Sequence, residues 1–162
     1  MLISLPIPTI IVLDFFGWLT IHMSVAYIIT QLPEYLFDPE SWLFRTRRWE
    51  YGGHVYQRIF WVKRWKHLLP DGAALFRSGF KKKRLGATDQ DYYRLFARET
   101  CRGELTHWIV MLAAPVFFIW NWWWACIIMV LYAVSANAPC IITQRFNRIR
   151  IKKVLNHPEH IP

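Results

Sequence analysis

Residues 105–143 read LTHWIVMLAAPVFFIWNWWWACIIMVLYAVSANAPCIIT. A single polar residue, Asn121, divides this stretch into two apolar runs, Leu105–Trp120 and Trp122–Thr143. Two such runs joined by so short a turn predict an antiparallel helical hairpin in a membrane. Trp120, Trp122, Trp123 and Trp124 crowd the turn, as an aromatic belt at the lipid–water boundary does. The first run, at ~1.5 Å per residue, covers roughly 24 Å and falls short of a ~30 Å hydrocarbon core. One of its ends must then stay shallow, which places His107 near the interface rather than at mid-depth.

A third apolar run precedes the hairpin. It extends from about Pro8 to Leu32 and is interrupted only by Asp14, His22 and Gln31. It lacks a basic start and a small-residue cleavage pattern, so it reads as a span and not as a signal peptide. Asp14 and His22 lie eight residues apart on roughly one side of the helix, where they either pair within the bundle or leave Asp14 close to the outer interface, and packing is their plain role. The composition agrees with a membrane setting: 54% of the 162 residues are hydrophobic, with 10 Trp and 11 Phe, beside a net charge of +9. A basic chain with long apolar runs points to an anionic membrane face and not to nucleic acid. Three cysteines, an odd number with two of them inside apolar runs, exclude a disulfide framework. The expected fold is all-α and integral to the membrane, a single domain of about three transmembrane helices plus interfacial amphipathic helices.

All 20 Lys and Arg fall within Arg45–Arg102 or Arg145–Lys153. These two segments flank one membrane face, and the positive-inside tendency makes that face cytoplasmic. The predicted layout is a first span over 8–32, a basic cytoplasmic or interfacial region over 34–102, the hairpin over 104–143 and a basic tail over 144–162. Within the basic region, His54–Leu69 reads as a helix ended by the turn Pro70-Asp71-Gly72. Its apolar residues take two faces, Val55, Ile59 and Val62 on one and Trp61, Trp65 and Leu68 on the other. With Arg58, Lys63, Arg64 and Lys66 threaded between them, the segment suits a headgroup layer. Lys81–Arg84 is an exposed basic loop attracted to anionic lipid, and Thr88 with Asp91 opens the next helix as a capping box.

That helix carries ETCRGELTHW, Glu99–Trp108, into the hairpin. Glu104 and His107 are then i, i+3 neighbours. A carboxylate that steadies an imidazole suits it to take a proton from an alcohol attacking an ester or thioester. Arg102, Lys66 and Arg64 can hold the phosphates of a coenzyme A donor or steady an oxyanion. The structural alternative is an ion-pair network of Glu99, Arg102 and Glu104 that only anchors the helix. A Glu-x-x-His half-site for metal needs a second copy, and the chain has one, so no metal ligand set is assigned. His67 either contacts substrate or caps a helix end. Asn137 either bonds the neighbouring hairpin helix or shapes a polar pocket, and Gln144, Arg145, Asn147 and Arg148 cluster where the last span leaves the membrane.

Three blocks together, WVKRWKHLLPDG (Trp61–Gly72), ETCRGELTHW and YAVSANAPCIITQRFNRIR (Tyr132–Arg150), resemble the glycosyl-4,4'-diaponeurosporenoate acyltransferases. The resemblance covers roughly Trp18 to Ile151. It implies a bacterial, multi-pass cell-membrane enzyme that moves a fatty acyl group from an activated donor, such as acyl-coenzyme A, to a sugar hydroxyl of a glycosylated carotenoid or similar glycolipid. It implies no further cofactor. The family pattern falls on Trp65, Lys66, His67, Asp71, Gly72, Glu99, Arg102, Glu104, His107, Asn137, Gln144, Arg145, Asn147 and Arg148. The expected site has His107 and Glu104 as catalytic pair and Lys66, His67, Asp71, Glu99, Arg102, Asn137, Gln144, Arg145, Asn147 and Arg148 at donor or substrate. The competing class is a non-catalytic membrane subunit of a larger, pigment-containing complex, its Trp-rich surface packed on other helices, lipid or carotenoid.

Overall fold

The computed structural model describes residues 3–69 and 90–156, and every regular element among them is helical. The α-helices are α1 (Ile7–Gln31), α2 (His54–Arg58), α3 (Val62–Trp65), α4 (Gln90–Leu112) and α5 (Trp123–Asn156). 3₁₀ segments occupy Glu34–Leu36, Arg48–Gly53, Lys66–Leu68 and Ala114–Ile119. The turn at Pro70-Asp71-Gly72, the candidate Asp71, the basic run Lys81–Arg84, Thr88 of the capping box and residues 157–162 lie outside the described residues.

Two helices, α1 and α5, are long and apolar enough to cross a membrane. The middle run, expected as a third span, is not one α-helix. α4 ends at Leu112, and the chain continues as the 3₁₀ turn Ala114–Ile119. Pro115 accounts for the break, because it lacks an amide proton and disfavours α geometry at the residue before it. At the other end of the hairpin, α5 runs past the expected end at Thr143 and keeps the basic stretch helical to Asn156.

The chain divides into two compact units, with boundaries inside α4 at Glu104/Leu105 and inside α5 at Pro139/Cys140. The first unit comprises the described residues of Met1–Gln31 and Leu105–Pro139. Its core is Trp18, Val110, Ala114, Phe117 and Ala133. Trp18 stacks on Phe117 with ring centroids 4.4 Å apart. Gly17 allows this approach, since a Cβ there would come within 3.0 Å of the Phe117 ring. The Asp14 carboxylate accepts hydrogen bonds from Trp120 Nε1 at 2.9 Å and Asn121 Nδ2 at 2.7 Å, fixing the polar turn. Asp14 thus does not pair with His22. Trp122, Trp123 and Trp124 beside that turn are exposed, as an aromatic belt requires.

The second unit comprises the described residues of Leu32–Glu104 and Cys140–Pro162. Its apolar cluster is Tyr56, Val62, Phe146 and Ile149. Here the helix expected over His54–Leu69 is broken: α2 ends at Arg58, and Trp61, at φ +47°, starts α3. The break has a geometric reason. Six residues along a straight helix put Tyr56 and Val62 about 120° apart, too far to reach one cluster. Turning the chain at Ile59–Trp61 lets both become buried against Phe146 and Ile149. Before α2, Gly53 adopts φ +92°, a left-handed conformation that glycine takes without strain.

Candidate functional site

Polar side chains collect in two places, one in each unit. In the first unit, α4 carries His107 and α5 carries Asn137, which is 1% exposed. Asn137 Nδ2 donates to the Ala133 carbonyl one turn back, at 2.9 Å. That bond orients the amide, because a carbonyl can only accept. Asn137 Oδ1 therefore faces His107 Nδ1, 2.9 Å away, and Nδ1 must be the protonated ring nitrogen. Nε2 is left with the free lone pair, the form a general base requires. No described residue bonds it.

The second unit holds a buried charge network. Glu104, 1% exposed, accepts from Arg145 Nη1 at 2.7 Å through one oxygen and from Arg148 Nη2 through the other. Arg145 Nε also donates to Glu50 Oε1 at 2.8 Å. Glu50, wholly buried, further accepts from the Tyr56 hydroxyl and the Arg47 amide. Tyr56 belongs to the apolar cluster, so the network is packed against the core of its unit. Two carboxylates and two guanidiniums make a set with no net charge, the condition under which buried ions are tolerated.

Burial alone would raise the Glu50 carboxyl, but the bonds from Arg145, Tyr56 and the Arg47 amide outweigh it and hold its pKa below the ordinary glutamate value. Burial and the neighbouring Glu50 push the Tyr56 phenol up. A carboxylate with a depressed pKa adds stability that is complete above the ordinary value and fades as pH falls through the depressed one. The purified chain in detergent is expected to lose thermal stability on acidification below about pH 4.5, the ordinary glutamate value. Glu50→Gln should flatten that acid limb. An unchanged limb in this variant would remove Glu50 from the linkage.

The remaining candidates sort by unit. Lys66 Nζ donates to Asn147 Oδ1 at 3.1 Å, and His67 is exposed. Glu99 pairs with Arg102 at 3.1 Å, and Arg102 also donates to the Leu32 carbonyl and lies over the Phe37 ring. Gln144 packs against Gly103, where a Cβ would sit 3.0 Å from its amide nitrogen. The Glu104–His107 pairing read from spacing is corrected. Both Glu104 oxygens are held by arginines, and the orienting partner of His107 is Asn137, because two guanidiniums offer a carboxylate far more than one neutral imidazole does. Sequence reasoning missed Glu50 and Tyr56. The one available signal was a solitary acid in RTRRWEYGG.

The family model described as glycosyl-4,4'-diaponeurosporenoate acyltransferase matches residues 39–157. The protein of that name from Staphylococcus aureus (strain bovine RF122 / ET3-1) is 32% identical over 140 residues, covering 85% of this chain and 83% of its own. Its namesake from Staphylococcus haemolyticus (strain JCSC1435) is 32% identical over 135 residues, covering 83% of this chain and 78% of its own. No solved structure matches the chain. A chain whose described elements are all helical, two of them of membrane-spanning length, and whose likeness extends over most of its length belongs to the glycosyl-4,4'-diaponeurosporenoate acyltransferase family.

Proposed function

We propose that this chain is a membrane-bound O-acyltransferase that moves a fatty acyl group from an activated donor to a sugar hydroxyl of a glycosylated carotenoid or a similar glycolipid. The observation that carries the reading is the His107–Asn137 pair, whose hydrogen-bond directions leave Nε2 free to take a proton. Family membership supplies the reaction class. In this reading His107 Nε2 accepts the proton of the sugar hydroxyl as its oxygen attacks the acyl carbonyl. The tetrahedral intermediate expels the donor's leaving group, and the imidazolium returns the proton to it, so His107 ends as it began. Asn137 keeps the ring in one tautomer throughout. The basic face is assigned to the cytoplasmic side by the positive-inside tendency.

The test is direct. Membranes containing the chain are incubated with a labelled fatty acyl donor and either a glycosylated carotenoid or its sugar-free counterpart. An alkali-labile acyl ester is expected on the glycoside alone. Label on both acceptors, or on neither, would sink the proposal, and label on neither would favour the subunit class.

A further inference from the structure

A second imidazole in the first unit shares the arrangement of His107. His22 lies on α1, and its Nδ1 is 2.8 Å from the Trp18 carbonyl. A carbonyl oxygen only accepts, so Nδ1 carries the proton and Nε2 carries the lone pair. Nε2 has no bond from any described residue.

Both histidines are tied to one buried cluster. Trp18, which accepts from His22, packs with Ala133, which accepts from the Asn137 amide that orients His107. The Trp18 ring also lies against the His22 ring, at 5.7 Å between centroids. Trp18, one turn from His22 on α1, and Val110, one turn from His107 on α4, share that cluster, so the two helix segments that carry the rings are neighbours. A unit with so apolar a core thus offers two fixed rings, each presenting an acceptor nitrogen. A hydrocarbon chain has nothing to give such a nitrogen, whereas a polyol has several hydroxyl donors.

We infer that His22 is an acceptor-binding residue: its Nε2 receives a hydrogen bond from a second hydroxyl of the sugar whose reacting hydroxyl is held by His107. The inference rests on the acyl-transfer reading above. No covalent step is added, since His22 only fixes which hydroxyl reaches the base. The ligand class is a sugar with two neighbouring free hydroxyls, and a simple long-chain alcohol would engage only one of the two rings.

The experiment uses the full chain in membranes, with octyl glucoside and its monodeoxy analogues as acyl acceptors. His22→Ala is expected to raise KM for octyl glucoside about five- to tenfold, the loss of one hydrogen bond, with kcat nearly unchanged. One monodeoxy analogue should show the same rise in the wild type and no further rise in His22→Ala. If His22→Ala does not accumulate, His22→Phe keeps a ring against Trp18 without a lone pair and is read identically. A KM unchanged in these variants, or raised additively for every analogue, overturns the inference. His107→Ala with wild-type kcat would instead overturn the catalytic reading, so the two failures are distinguishable.

Discussion

His107→Ala lowers the turnover of acyl transfer by about 10²- to 10⁴-fold, the usual worth of a positioned general base. The variant should still fold, because His107 lies outside the apolar cluster of its unit and its one bond is to Asn137. Its thermal midpoint in detergent should therefore stay close to that of the wild type while product formation disappears. Asn137→Leu extends the argument. Leucine fills a similar volume but accepts nothing from Nδ1, so the ring is free to turn and to exchange tautomers. Turnover should fall by about tenfold or more, less than on removing the base itself. If His107→Ala makes acyl ester at the wild-type rate, the imidazole has no part in the chemistry.

Glu104→Ala acts on stability. It leaves Arg145 without one of its two carboxylates and Arg148, 1% exposed, without its counter-charge. Breaking a buried pair from one side costs about 3–5 kcal/mol, since the surviving charge stays desolvated. Much of the second unit's margin would be spent against a typical folding stability of about 5–15 kcal/mol. The expected result is a large drop in thermal midpoint and poor accumulation. Removing both sides, as Glu104→Met with Arg148→Met, should recover much of the loss, because no lone charge remains. A single variant as stable as the wild type would mean that water reaches the arginines.

The parts of the fold that the sequence made legible are those written in contiguous residues. α1 and the start of α5 follow from long apolar runs, and the turn between the hairpin arms follows from Asn121 among tryptophans. Pro115 is visible in the sequence, but hydropathy alone places it inside a span, because hydropathy does not register a missing amide proton. The break at Ile59–Trp61 was hidden for another reason. It exists to bring Tyr56 and Val62 onto Phe146 and Ile149, residues far along the chain. The site follows the same rule. Glu50 finds Arg145 across 95 residues, and His107 finds Asn137 across 30, whereas spacing on one helix proposed Glu104. His107, Asn137 and Glu104 were all among the candidates, but who holds whom is a property of packing.

The charge-balanced set formed by Glu50, Glu104, Arg145 and Arg148 also governs how this chain can diverge. Any single change among the four strands a charge, so descendants must pass through a weakened intermediate or alter partners in concert. Inheritance should treat these positions as one block, with glutamate and arginine appearing or vanishing together. The exposed ion pair Arg98–Glu34 is free to drift one residue at a time.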